Sequence, residues 1–408
     1  MKLSPSDTES PALWQAGADP LSLALMSSRN RTLGLLAAFE AVAADLDPGE
    51  ALWLAGHAGW FAEAWINRNP QRARGRACDP RPPRTASIEP RADHWWEPLA
   101  GVRGFGGRGE DRPDFARTRE YLRDTLDTTL DLLQQAGDDG AGLHLFRLAL
   151  AHEDLIGETL IELAQAAGVP LALGPGDPVR PREPLLVPAA RALIGQPAER
   201  ALFDNETGPH VENLPEFEID AQPVSWAQFV EFVDDGGYDR SELWSTEGWG
   251  WLSEVSVREG RRGPRHVEQI GAAHRGGAVL QVRFGRTVRM APQHAAMHVS
   301  WWEAEAWCRW AGRRLPFEAE WEQAARTAAR RGFRWGEVHE WTADRFRPYE
   351  GFQPDPWTGR SLAAFGEPHR VRRGASWATS PRLVYPAFRA WGRPEDDRGF
   401  TGFRSCAL

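Results

Sequence analysis

His298-Val299-Ser300-Trp301-Trp302-Glu303-Ala304-Glu305-Ala306-Trp307-Cys308-Arg309-Trp310, then Gly312-Arg313-Arg314-Leu315-Pro316-Phe317-Glu318-Ala319-Glu320-Trp321-Glu322, is the stretch on which the reading of this chain turns. Its tryptophan density is too specific for a generic core. Two further blocks extend it, Gly336-Glu337-Val338-His339-Glu340-Trp341-Thr342 and Arg373-Gly374-Ala375-Ser376-Trp377. Around them, segments are short and turn residues frequent. Two helices stand out, Ser225 to Asp234 and Trp301 to Ala311, and a third is expected from Glu318 to Arg330. Much irregular structure with little regular repeat fits an α+β domain that depends on specific contacts.

Upstream, Val169 to Pro188 carries six prolines (Pro170, Pro175, Pro178, Pro181, Pro184 and Pro188) and reads as a linker finishing inside the first strand of the next domain. Before it the texture is helical: Leu33 to Leu46, Glu50 to Asn67, Asp114 to Gln135 and Gly142 to Ala167 are apolar at helical spacing. Four segments with one long connection predict a four-helix bundle. The connection, Asn69 to Pro113, is rich in Pro, Gly and Arg, and a loop of that length is more often functional than decorative. The expected division is a bundle over 1–168, a linker over 169–184 and an α+β domain over 185–408, without internal repeats.

The bulk numbers bound the function. With 42% hydrophobic and 26% charged residues, the 408-residue chain has a globular composition and room for two cores. A net charge of -9 disfavours nucleic acid as partner. No apolar run approaches membrane-spanning length, and Met1 to Ala12 lacks a hydrophobic signal segment. Cys78, Cys308 and Cys406 are scattered without metal-ligand spacing, which predicts a reducing, cytoplasmic setting. Lys2 is the only lysine, excluding internal Schiff-base chemistry and the phosphate-binding loop that needs a lysine.

His57 sits mid-helix in Trp53-Leu54-Ala55-Gly56-His57-Ala58-Gly59-Trp60-Phe61. On the last bundle helix Leu145, Leu148, His152, Leu155 or Ile156, Thr159 and Leu163 recur at helical spacing, which turns His152 into the bundle. Two histidines from separate helices facing one interior form a candidate metal pair, since imidazole suits iron, zinc or copper. Equally, each is a buried histidine satisfied by a backbone or hydroxyl partner.

The tryptophan-rich blocks resemble the formylglycine-generating-enzyme-like domain. With the helical segment that precedes them, the chain is similar to the ergothioneine-type nonheme iron sulfoxide synthases, in which a DinB-like four-helix bundle is fused to that C-type-lectin-like domain. Within that group it looks most like selenoneine synthase. The best-matched pieces are Phe203-Asp204-Asn205-Glu206 with Pro209-His210, Pro223-Val224-Ser225, His298 to Trp321, Trp341-Thr342 with Pro348-Tyr349-Glu350-Gly351-Phe352, and Gly402-Phe403-Arg404-Ser405-Cys406-Ala407. The resemblance implies an oxidoreductase that uses Fe(II) and O2 to form a carbon–selenium or carbon–sulfur bond at the imidazole carbon of hercynine, the trimethylated betaine of histidine. It also implies a cleft between the domains as the site.

Three histidines bind iron in that family, one on the early helix and two in a His-x-x-x-His-x-Glu motif. Carried over, these positions are His57, His152 and Ile156, and the glutamate, a contact to the hercynine cation, is Glu158. Ile156 cannot bind a metal, which leaves Glu153, His94 or water as substitutes. Four departures accompany it. Leu155 stands where glutamine is common, and Arg389-Ala390-Trp391 replaces an Arg-Asn-aromatic segment. Trp357 and Arg360 are the nearest residues to an expected tyrosine, and Val338-His339-Glu340-Trp341 stands for Val-Trp-Glu-Trp. Trp391 matches a position beside the betaine, and aromatic faces hold quaternary ammonium groups.

Pro394-Glu395-Asp396-Asp397-Arg398 lies where the donor pocket is expected. An acidic run complements sugar hydroxyls better than the carboxylates of a thiol donor, which favours a selenosugar. Arg72, Arg74, Arg76, Arg81 and Arg84 on the crossover loop are candidates to meet an anionic substrate, or a solvated face. Cys308 is expected to be a small core residue, and Ser376 with His369 lacks the elbow of a hydrolase. The expectation is therefore an Fe(II)- and O2-dependent synthase with His57 and His152 as ligands and Glu158 and Trp391 as betaine contacts. The alternatives are a sulfoxide synthase using a thiol donor and a catalytically silent betaine-binding relative.

Overall fold

The computed structural model describes residues 8–98, 111–137, 140–271, 278–366 and 368–408. Residues 1–7, which begin the polar N-terminus, and 99–110 of the crossover connection lie outside that set.

Four long helices carry the first half: α1 (Ala18–Glu40), α2 (Gly49–Ala62), α4 (Phe115–Gln134) and α5 (Gly140–Ala167), with a short α3 (Ala92–Trp96) on the connection. In α1, Leu21, Leu25, Ser28, Thr32, Leu35, Leu36 and Phe39 are buried every three or four residues, which is the stripe that packs it on α4 and α5. Asp114 starts α4 by accepting the Arg117 amide at 2.8 Å. Buried on almost every side, α2 also packs on α4 and α5, so the four helices form a bundle as expected, although its first helix is Ala18–Glu40 and the chain turns over 41–46 instead of staying helical from Leu33 to Leu46. Close approach depends on two glycines. A Cβ on Gly56 would sit 1.9 Å from the Trp96 indole, and one on Gly59 would sit 3.1 Å from Leu122 and Tyr121. A π-helical turn, Glu63–Asn67, then swings Glu63 inward, where Tyr121 Oη donates to its carboxylate at 2.7 Å.

No helix or strand occurs from 168 to 184, and β1 (Leu185–Val187) follows. It pairs with β4 (Phe217–Ile219), and β2 (Ala190–Ile194) pairs with β3 (His210–Leu214), both antiparallel. After α6 (Trp226–Asp234) and α7 (Thr246–Glu259) come the meander β5 (Val267–Ile270), β6 (Val279–Arg283) and β7 (Arg286–Met290). Two helices, α8 (Trp301–Trp310) and α9 (Glu318–Thr327), precede the four-stranded sheet. There β8 (His339–Arg345) lies between antiparallel β9 (Arg370–Gly374) and parallel β11 (Thr401–Phe403), with β10 (Arg389–Gly392) outside β9.

Reciprocal capping boxes, Ser225 with Gln228 and Ser300 with Glu303, start α6 and α8 at the expected places. The third expected helix ends earlier, at Thr327, with a separate 3-10 turn from Ala329 to Arg331. Helix α7 was not expected, because Gly248 and Gly250 each disfavour a helix by about 1 kcal/mol. It forms because Ser245 caps its start, Gly260 ends it in the left-handed region at φ 67°, and Leu252 and Val255 are buried. Buried arginine forks hold this half together. Arg389 meets Glu318 through two 2.9 Å bonds, Arg404 meets Glu340 at 2.8 Å, and Arg373 pairs with Glu322.

Candidate functional site between the helices and the sheet

Helix α5 is the shared wall of the two halves. Its Asp154 accepts two bonds from Arg382, at 2.9 and 2.7 Å, and the Arg382 carbonyl accepts from Trp14 Nε1 at 2.7 Å. Beside this seam lies a cavity of about 1040 Å³, lined from α5 by Leu155, Glu158, Thr159 and Glu162. Across from them stand His339, Arg360, Ala390 and Trp391, with Trp251 and Trp302 farther round the wall. The expected cleft therefore exists, and Glu158, Trp391, Leu155 and Ala390 share it.

Glu158 is held by three side chains of the second half. His339 Nε2 donates to it at 3.0 Å, Thr379 Oγ1 lies 2.9 Å away, and the Ser376 hydroxyl donates as well. Burial pushes this carboxyl up, but His339 and the hydroxyls outweigh burial and hold it at about 2, so it is an anion at neutral pH. Sequence reasoning missed Thr379, and it singled out Ser376 and His339 for other reasons. The signal lay in the Arg-Gly-Ala-Ser-Trp block, which supplies Ser376 itself and, two residues beyond its end, Thr379.

The rings of His57 and His152 meet edge to face, with centroids 5.0 Å apart. Nδ1 of His57 lies 2.9 Å from the Trp96 carbonyl, which can only accept, so Nδ1 carries the proton and Nε2 keeps its lone pair. Nε2 of His152 is buried without a partner among the described residues. Burial lowers the His57 imidazole to about 4 against the pull of that carbonyl. It drives His152 well below the usual range, helped by His57 and Arg360. Both rings are therefore neutral at pH 7, the state in which imidazole binds a metal.

The rest of the expected ligand set is not there. Ile156 is only 8% exposed and has no donor atom, and among the described residues no three His, Cys, Asp or Glu side chains converge as a metal site. Glu153 is not a substitute, because Arg29 takes its carboxylate at 2.7 and 3.0 Å and Thr32 adds a third bond. Nor is His94, whose side chain is exposed and 3.6 Å from Asp111. Aromatic rings pack on His152 instead. Phe61 stacks on it at 4.0 Å, and Trp357 meets it edge-on at 4.8 Å.

Other candidates divide between wall and scaffold. Trp391 stacks on Phe346 at 4.6 Å, and the Arg360 guanidinium carbon lies 5.2 Å from its centroid. The acidic run does reach the cavity, yet Asp397 is claimed by Arg261 and Arg265. The crossover arginines do not line it. Arg76 is spent on Asp355 at 2.7 Å, and Arg84 bonds Glu97 at 3.2 Å. Cys308 is a buried free thiol, as expected.

The chain is similar to several known proteins. The family described as the sulfatase-modifying factor enzyme 1-like domain matches residues 173–337 and 334–407. A hercynine oxygenase of Mycolicibacterium smegmatis is 29% identical over 444 residues, covering 95% of this chain and 97% of that protein. One from Mycobacterium tuberculosis is 30% identical, covering 71% of this chain and 77% of its own. A formylglycine-generating enzyme of Streptomyces coelicolor is 32% identical over 48% of this chain and 63% of that enzyme.

Proposed function

Because the chain belongs to the ergothioneine-type sulfoxide synthase family, with its sulfatase-modifying factor enzyme 1-like domain, we propose that it is an oxidoreductase acting on hercynine in the cleft beside α5. The observation that carries this reading is the buried Glu158 anion on the wall of a cavity adjoining two neutral imidazoles. A carboxylate at the end of an aromatic-walled pocket attracts a quaternary ammonium. The helical half is the DinB-like bundle of that family, and 1–168, 169–184 and 185–408 are its bundle, linker and catalytic domain.

The donor atoms fit Fe(II) as a pair: Nε2 of His57, oriented through Trp96, and the unpartnered Nε2 of His152. Bound there, iron would supply the redox chemistry with O2. The chain's own part is to orient hercynine through Glu158, to keep Glu158 ionised through His339, Ser376 and Thr379, and to exclude water with Phe61 and Trp357. The second substrate we favour is a selenosugar rather than a thiol, on the strength of Trp251, Trp302, Glu395 and Asp396 on the rim, which they share with Arg258, Arg265, Arg393 and Arg398.

Ile156 and the packing of Phe61 and Trp357 on His152 favour a second reading, a betaine-binding relative without turnover. Anaerobic Fe(II) titration of the native protein, His57→Ala and Ile156→His separates the two. One tight iron per native chain, lost in His57→Ala, upholds the synthase. Iron bound only by Ile156→His leaves the binder.

A further inference from the structure

Arg360 is the least expected charge in the cleft. It lies on the cavity wall, and its guanidinium carbon sits 3.7 Å from the Phe203 centroid, 5.2 Å from Trp391 and 5.9 Å from Trp357. Among the described residues it makes no hydrogen bond and no ion pair, and its Nε is buried without a partner.

The nearby carboxylates take other donors, and among the described residues only Asp355 Oδ2 of these is left buried without a partner. Asp204 accepts from Ser361 Oγ at 2.5 Å, and Glu206 accepts from Tyr385 Oη at 2.6 Å. Asp355 accepts from Arg76 at 2.7 Å and His144 at 2.9 Å. Burial pulls the Arg360 guanidinium down to about 10, against the pull of Asp204, of Glu206 in its ionised state and of Asp355, so it stays charged at neutral pH. A guanidinium stabilised by rings and distant charges, with its planar fork of donors unused, suits one kind of partner well: a carboxylate reaching it from the cavity.

We propose that Arg360 is the anion receptor of the cleft and takes the carboxylate of the betaine, leaving the quaternary ammonium to the Glu158 end. This rests on the hercynine reading and refines it. Trp391 then lies beside the carboxylate end, since a ring already carrying the Arg360 cation is a poor seat for a second one. The pocket becomes a receptor for zwitterions, with an anion on one wall and a cation on another. Cationic amines without a carboxylate are discriminated against.

The test compares two ligands by titration calorimetry: hercynine, and N,N,N-trimethylhistamine, which keeps the imidazole and the ammonium but lacks the carboxylate. Native protein should prefer hercynine by about 10–100-fold, the range for a charge-assisted bond. Arg360→Met, which keeps the hydrocarbon packing, should bind both ligands about equally, and Arg360→Lys should keep part of the preference. Equal affinities in native protein, or full preference retained by Arg360→Met, overturn the assignment while leaving the hercynine reading intact. Binding of neither ligand to native protein overturns that reading, and the assignment with it. If Arg360→Met fails to fold, the native comparison and Arg360→Lys decide.

Discussion

His57 and His152 face each other across two helices with their rings at 85°; among the described residues Nδ1 of His57 bonds the Trp96 carbonyl while Nε2 of His152 has no partner. The pair is thus oriented from one side only, by the Trp96 carbonyl. His152 is held by the packing of Phe61 and Trp357.

Restoring a third imidazole should have a large effect. Ile156→His places a donor one helical turn after His152, and Fe(II) affinity should rise by at least about 10–100-fold, since lesser changes around a metal have that effect. Anaerobic titration checks it, and an unchanged affinity would show that position 156 does not face the pair.

The orientation of His57 can be tested through its neighbour. A methyl group on Gly56 would collide with the Trp96 indole at 1.9 Å. Gly56→Ala should therefore lower stability by about 1–3 kcal/mol, as overpacking does. It should weaken metal binding in parallel by displacing the carbonyl that fixes His57. Chemical denaturation and metal titration on one preparation read both.

The seam predicts a strong penalty for breaking one side of an ion pair. Asp154 and Arg382 are 1% and 4% exposed, and Ser28 also donates to Asp154 at 2.9 Å. Asp154→Ala leaves a buried guanidinium uncompensated, and should destabilise by about 3–5 kcal/mol in urea unfolding. Asp154→Leu combined with Arg382→Met should recover much of the loss.

Two buried carboxyls give opposite pH signatures. Burial raises the Glu158 carboxyl, but His339 and the hydroxyls depress it from 4.5 to about 2, so the folded state binds its proton less tightly than the unfolded chain. Its stabilisation is present above pH 4.5 and lost as pH falls toward 2. Glu206 is raised by burial from 4.5 to about 7, against the bond from Tyr385. Its contribution is complete below pH 4.5 and disappears as pH rises through 7. Glu158→Gln should flatten the acid limb of a stability–pH curve, and Glu206→Gln should raise stability at pH 8 more than at pH 4.

Periodicity made the bundle legible in part: the α5 stripe lies where its spacing predicts, whereas the first helix, expected over Leu33 to Leu46, runs from Ala18 to Glu40 and shares only its last two turns with that expectation. Capping chemistry did the same for α6 and α8. Helix α7 was hidden because its glycines speak against a helix locally, while its burial is decided by distant packing. The site was legible as far as single residues go, with Glu158 and Trp391 on one cavity and the two histidines in contact. What escaped was exclusivity. Nothing in the sequence reveals that Glu153 belongs to Arg29, that Asp397 belongs to two arginines, or that Arg360 belongs to no one. Such pairings join residues over a hundred positions apart and exist only after folding.

Four consecutive or near-consecutive residues of α5 serve four masters: His152 turns to His57, Glu153 to Arg29, Asp154 to Arg382 and Glu158 to His339, Ser376 and Thr379. That sharing limits how the gene can be recombined. A chimera that joined this helical half to the second half of a relative would import foreign residues opposite Asp154 and Glu158, stranding two anions at the joint. The halves can therefore drift in sequence only as a matched set, and shuffling between relatives would have to move the partners of α5 together with it.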